Sequence, residues 1–183
     1  MAKKSDKLPI ELTRITRTLY FMIAAVALSI VIFDAGNLIP REAVISRWTL
    51  LSILFAANTV AWFIAAQVTI RSIRIIAVFG LSLLLLTFAG LMTYWERGMA
   101  STSTLLYALP LLTVATARDR HALIATAALS AGTYALAAVR YFNDFFNEGY
   151  RIQLWGNIVL YISLIFICTW LIMIIAGLRH DSK

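Results

Sequence analysis

Apolar and polar positions fall along this chain in long blocks rather than at short period. Six apolar runs, at residues 18–34, 48–67, 75–95, 102–117, 122–139 and 154–178, are separated by short stretches that hold nearly all of the charge. The last run is the clearest, because the 27 residues from Ile152 to Leu178, flanked by Arg151 and Arg179, contain no formal charge. A helix needs about 20 apolar residues to cross the hydrocarbon core of a bilayer. Within lipid, helices and closed barrels alone satisfy every backbone polar group. The pattern therefore predicts an all-α polytopic membrane protein, a six-helix transmembrane bundle forming a single domain over residues 1–183.

Ahead of the first run, Leu8, Leu12, Ile15 and Leu19 share one helical face, while Lys7, Glu11, Arg14 and Arg17 fall outside it. Pro9 is tolerated only in a first turn and marks the start. This predicts a short amphipathic helix over residues 8–17, lying on the cytoplasmic leaflet and running into the first span; a plain extension of that span is the alternative. Lys3, Lys4 and Lys7 resemble the opening of a secretory signal, but Asp34 stands where the small residues of a cleavage site belong.

Within the runs, Ser101–Thr104 supply hydroxyls to cap the fourth span. Pro110 predicts a kink near Leu106 and Tyr107, with Thr113 or Tyr107 re-satisfying the freed backbone. Residues 118–121 leave room only for a tight hairpin. Asn58, in mid-span, is expected to hydrogen-bond a neighbouring helix for about 0.6–2 kcal/mol. Ala128 and Gly132 form one row of small residues and Ala127 and Ala131 an adjoining one, inviting close backbone approach and a central place for the fifth span.

Charge sets the orientation. With the N-terminus inside, eleven Lys and Arg fall on the cytoplasmic side and five outside, which predicts that both termini are cytoplasmic in a cell membrane. Counting acids as well, the inner side carries +7 and the outer side zero. The whole chain is 61% hydrophobic and 14% charged, against about a quarter charged in soluble domains. Its basic residues flank apolar runs and form no stripe with stacking aromatics, so anionic lipid headgroups at the cytoplasmic face are the expected partner rather than nucleic acid.

The interiors of the six runs hold no Asp, Glu, Lys, Arg or His, which speaks against proton pumps and voltage sensors. His121 and His180 lie outside the spans, with His121 expected to cap the hairpin. Cys168 reads as a buried apolar thiol. No catalytic residue, metal or cofactor is expected, and the chain is read as having no enzymatic activity.

The outer connections repeat a theme of aromatic, acid and glycine, at residues 33–36, 95–98 and 146–149. Glycine there fits a left-handed helix cap. A carboxylate opposes the helix dipole, so Asp34, Glu96 and Glu148 call for compensation, with Arg97, Arg140 and Arg151 nearest in sequence. Phe142, Phe145 and Phe146 share a face: they form either an interfacial belt or, with Tyr94, Trp95, Glu96, Arg140 and Trp155, an outer-face ligand pocket.

The stretch Leu105–Val139, LLYALPLLTVATARDRHALIATAALSAGTYALAAV, resembles the multi-helix membrane input domains of bacterial sensor histidine kinases, in which a proline-broken span, a short basic turn and an alanine-rich span recur. The resemblance implies a sensory or regulatory module reading a signal at its outer face. No phosphoacceptor region occurs up to Lys183, so the output is expected to pass to a separate protein partner or to a further part of a longer chain. Two other roles fit the same pattern: a small transporter or channel subunit that builds its pathway as a homo-oligomer, and a non-catalytic scaffold of a larger membrane complex.

Overall fold

A computed structural model describes residues 8–96, 98, 101–145 and 151–178. They form α1 (Leu8–Ala35), α2 (Arg41–Gln67), α3 (Arg71–Trp95), a 3-10 helix (Thr102–Tyr107), α4 (Ala108–Ala115), α5 (Arg120–Phe145) and α6 (Arg151–Ile175), with no strand among the described residues. The protein is all-α. Five of these helices are long and apolar enough to cross a membrane, and Thr102–Ala115 is a shorter apolar segment. The exterior is rich in large apolar side chains, among them Phe21, Leu105, Leu136 and Ile175, as a surface solvated by lipid requires. The chain divides into two compact units, Met1–Leu81 and Ser82–Lys183.

In the first unit α1 and α2 form an antiparallel hairpin. The buried positions of α2, Val44, Arg47, Leu51, Leu54, Asn58, Ala61 and Ala65, recur every three or four residues. That spacing is the seam of a coiled-coil-like pair. Across it Asn58 Nδ2 donates to the Thr16 carbonyl at 2.9 Å, the interhelical bond expected of this residue. The stretch 8–17 and the first span are one continuous helix, as the alternative of a plain extension has it, with Leu8, Leu12, Thr16 and Leu19 buried within the protein. No residue between 10 and 30 interrupts the backbone ladder, so nothing separates the two.

α1 ends in a Schellman motif, in which Leu38 N–H reaches the Phe33 carbonyl and Asn37 N–H that of Asp34, both at 2.9 Å. The left-handed residue is Asn37, at φ 51°, and not Gly36, which the sequence pattern had favoured. Asn tolerates this conformation through its short polar side chain, which leaves Gly36 bonded back to Ile32 in the last helical turn. At the end of α6, Gly177 does take the left-handed position, at φ 69°.

The second unit comprises the C-terminal half of α3 and everything after it. Ser101 caps the 3-10 helix by accepting from the Ser103 N–H. The chain then changes to α-helix at Ala108, whose N–H turns back to the carbonyls of Leu105 and Leu106. Pro110 therefore sits in the first turn of α4, where its missing N–H costs little. The helix type thus changes between Tyr107 and Ala108, beside the position at which the kink is expected. Ser82 Oγ on α3 donates to the Pro110 carbonyl at 3.2 Å, and Thr113 bonds to Leu109 rather than to the carbonyls near residue 106.

The turn into α5 places Arg118 at φ 56°. Asp119 Oδ1 then accepts from the N–H groups of His121 (2.9 Å) and Ala122 (3.3 Å). Asp119, and not the expected His121, is the capping side chain, because a carboxylate accepts from the orphan N–H groups of a helix start and favours its dipole. Along α5, Ala127 and Ala131 are buried whereas Ala128 and Gly132 are exposed. A Cβ placed on Gly132 would meet nothing within 4 Å. The packing row is thus Ala127/Ala131, one position round the helix from the predicted Ala128/Gly132. α3 is at least as enclosed as α5, with 50% of its apolar window buried against 44%, while α1 and α6 reach only 17%. Edge-on and tilted rings of Tyr107, Tyr134 and Tyr161, with centroids 5.9 and 5.1 Å apart, tie the 3-10 helix, α5 and α6 together. Cys168 is exposed on α6 and not buried as expected.

Candidate ligand site

The most distinctive arrangement in the second unit lies where α3 meets α5. Gly90 permits the closest approach: a Cβ there would stand 2.7 Å from Thr133 Cγ2 and 3.8 Å from the Tyr107 hydroxyl. A Cβ at that position would force Thr133 or one of the helices to shift. One turn further along α3, the Tyr94 hydroxyl donates to Asp144 Oδ2 at 2.8 Å. Arg140 Nε donates to the same oxygen at 3.0 Å in an i,i+4 ion pair. The C-terminal ends of α3 and α5 therefore lie at the same end of this unit, and the two helices run in the same direction. Tyr141 packs edge-on against Tyr94 and is in turn covered by Phe145.

Along the seam of the two helices runs an open groove, a cavity of about 420 Å³ exposed on one side. Its walls are Thr87, Gly90, Leu91 and Tyr94 of α3 and Thr133, Leu136, Ala137 and Arg140 of α5. Each set is spaced i, i+3, i+4, i+7, so two helical stripes face one another over two turns, about 10 Å at 1.5 Å per residue. The slot is apolar along its length and closes at one end on the Tyr94–Asp144–Arg140 cluster. The Arg140 side chain is 70% exposed and Asp144 31%, so the cluster is reached from outside the protein. A second, smaller cavity of about 230 Å³ lies beside Tyr107, Tyr134, Tyr161 and Cys168.

Of the residues singled out in the sequence, Tyr94 and Arg140 meet at this cavity. Glu96 is half-buried and accepts hydrogen bonds from the Ser101 and Ser103 hydroxyls. Trp95 is half-buried, Phe142 buried, and Phe145 and Trp155 exposed, at 66% and 55%. Phe146 lies outside the described residues, as do Arg97 and Glu148. Among the described residues of that set, Tyr94 and Arg140 line the cavity and Trp95, Phe142, Phe145 and Trp155 do not. Gly90, Thr133 and Asp144 were not singled out for this site. Asp144, four residues after Arg140, was readable as a helical ion pair; the roles of Gly90 and Thr133 depend on which faces meet. Comparison with known proteins adds nothing to the geometry: no family model, curated protein or solved structure matches the chain.

Proposed function

We propose that this is a non-catalytic sensory or regulatory module of a cell membrane, crossing the bilayer six times with both termini in the cytoplasm. The observation that carries the reading is the Tyr94–Asp144–Arg140 cluster at the mouth of the α3–α5 cavity. A cluster bridging the ends of two helices couples any occupant of the slot to the relative position of those helices. α5 begins at the Asp119-capped turn on the opposite side, where a partner protein would read the change.

The same bond supports the topology. α3 and α5 end together, which favours a return of the chain across the membrane between them, with Thr102–Ala115 as the returning segment. At about 2.0 and 1.5 Å per residue for its 3-10 and α portions it spans about 24 Å, short of a hydrocarbon core of about 30 Å. A deficit of this size is met by local thinning or by flanking residues. Positive charge favours the same answer: six crossings distribute Lys and Arg eleven to five, whereas a fourth segment that failed to cross would give nine to seven.

The test uses the full chain in liposomes with Cys168→Ser and a reporter at Arg120→Cys. Asp144→Asn, which weakens the cluster at the far end, should change the labelling rate at position 120 at least threefold. An unchanged rate means the two ends are uncoupled, which excludes a sensory role and favours a scaffold.

A further inference from the structure

We infer that the α3–α5 cavity takes a single-chain amphiphile whose head presents an anionic oxygen acceptor to Arg140 and whose acyl tail lies in the slot toward Thr87 and Thr133. The inference rests on reading this cavity as the signal-receiving site, and it names the chemistry of the signal.

The shape argues for a chain rather than a globular solute. The walls are two facing stripes running parallel for about 10 Å, and the Gly90–Thr133 crossing holds the two helices together along the slot. The outer edge is formed by Leu136, exposed at 70%, and Leu91, so a tail enters sideways from lipid rather than through water. Apolar walls with one polar end are the usual form of a site that binds by area and orients by a few polar groups.

The mouth argues for the head. A guanidinium carries five N–H groups in a planar fork; that on Arg140 Nε is committed to Asp144. Asp144 Oδ2 accepts from both Arg140 and Tyr94, which holds the guanidinium at the mouth with its remaining N–H groups beyond that bond. Arg is suited to carboxylate and phosphate oxygens. Tyr94 is a positioning residue here: through Asp144 it fixes the guanidinium that the head would meet.

The experiment places the full chain, with Cys168→Ser and Thr87→Cys, in nanodiscs and measures how decanoate slows labelling of the slot at position 87. Decanoate should protect, decylammonium at equal concentration should not, and acetate or inorganic phosphate should not, since a head without a tail leaves the slot open. Arg140→Gln should weaken protection by decanoate at least tenfold, the usual scale for losing a hydrogen bond to a charged group. Tyr94→Phe, which keeps the ring, should weaken it about threefold. If Arg140→Gln fails to assemble, decanoate against decylammonium on the parent chain decides alone. Equal protection by both amphiphiles, or full protection in Arg140→Gln, would overturn the inference and leave ordinary filling by bilayer chains. Protection at position 87 without any change at position 120 would leave the amphiphile site standing and the sensory role refuted. Coupling from Asp144→Asn to position 120 without protection would do the reverse.

Discussion

Gly90→Ala is the sharpest test of how α3 and α5 meet. The added Cβ would lie 2.7 Å from Thr133 Cγ2, closer than carbon atoms pack. Thr133 is β-branched and stiff at χ1, so relief requires the helices to part or the side chain to leave its rotamer. Overpacking of this kind costs about 1–3 kcal/mol. Alanine recovers about 1 kcal/mol through its better helix propensity, so the net loss should be about 0–2 kcal/mol. At about 2–4 °C per kcal/mol for a chain of this size, the melting temperature should fall by at most about 8 °C. Thermal unfolding in detergent, followed through the five tryptophans, measures it. The diagnostic variant is the double mutant with Thr133→Ser, which removes Cγ2 and should restore stability by at least 1 kcal/mol beyond additivity. A double mutant whose stability is merely the sum of the two single changes would refute the close crossing and with it the inner wall of the cavity.

Other substitutions test the remaining packing and caps. Asn58→Ala removes the bond to Thr16 and should lower stability by about 1 kcal/mol in the same assay; Asn58→Leu should cost less, because the Oδ1 of Asn58 is buried without a partner. Leucine at Ala127 and Ala131 should prevent assembly of the second unit, whereas leucine at Ala128 and Gly132 should leave a monodisperse, folded protein on size-exclusion chromatography. Asp119→Ala should cost about 1 kcal/mol through loss of the α5 cap, and His121→Ala almost nothing, as read by thermal unfolding.

The helical architecture was legible because spans are long, apolar and bounded by charge. Their ends were not, since apolar runs mark hydrocarbon thickness while helices continue into the interface: α2 begins at Arg41 rather than Trp48, and α5 extends to Phe145 rather than Val139. Which face of a helix meets protein was also hidden. Lipid and core are equally apolar, so Ala128/Gly132 and Ala127/Ala131 look alike in sequence, and the exposure of Cys168 leaves no mark there. Gly80 and Gly90 lie on the same helix, yet only Gly90 has a neighbour that a side chain would strike. Asn58 succeeded because a polar side chain in mid-span needs a partner wherever it faces. At the candidate site Tyr94 and Arg140 were legible as interfacial polar and aromatic residues. Asp144 was passed over because the outer acids were sought in loops, whereas this one sits inside α5 and pairs along its own helix.

The parallel course of α3 and α5 underlies both the proposed topology and the proposed site, and it depends on Thr102–Ala115 carrying the chain back across the bilayer. Cysteine accessibility at position 120, in the Cys168→Ser chain within right-side-out vesicles, tests this most directly. Six crossings place Arg120→Cys in the cytoplasm, so a membrane-impermeant maleimide should label it only after the vesicles are opened. Labelling of that position in sealed vesicles would contradict the account.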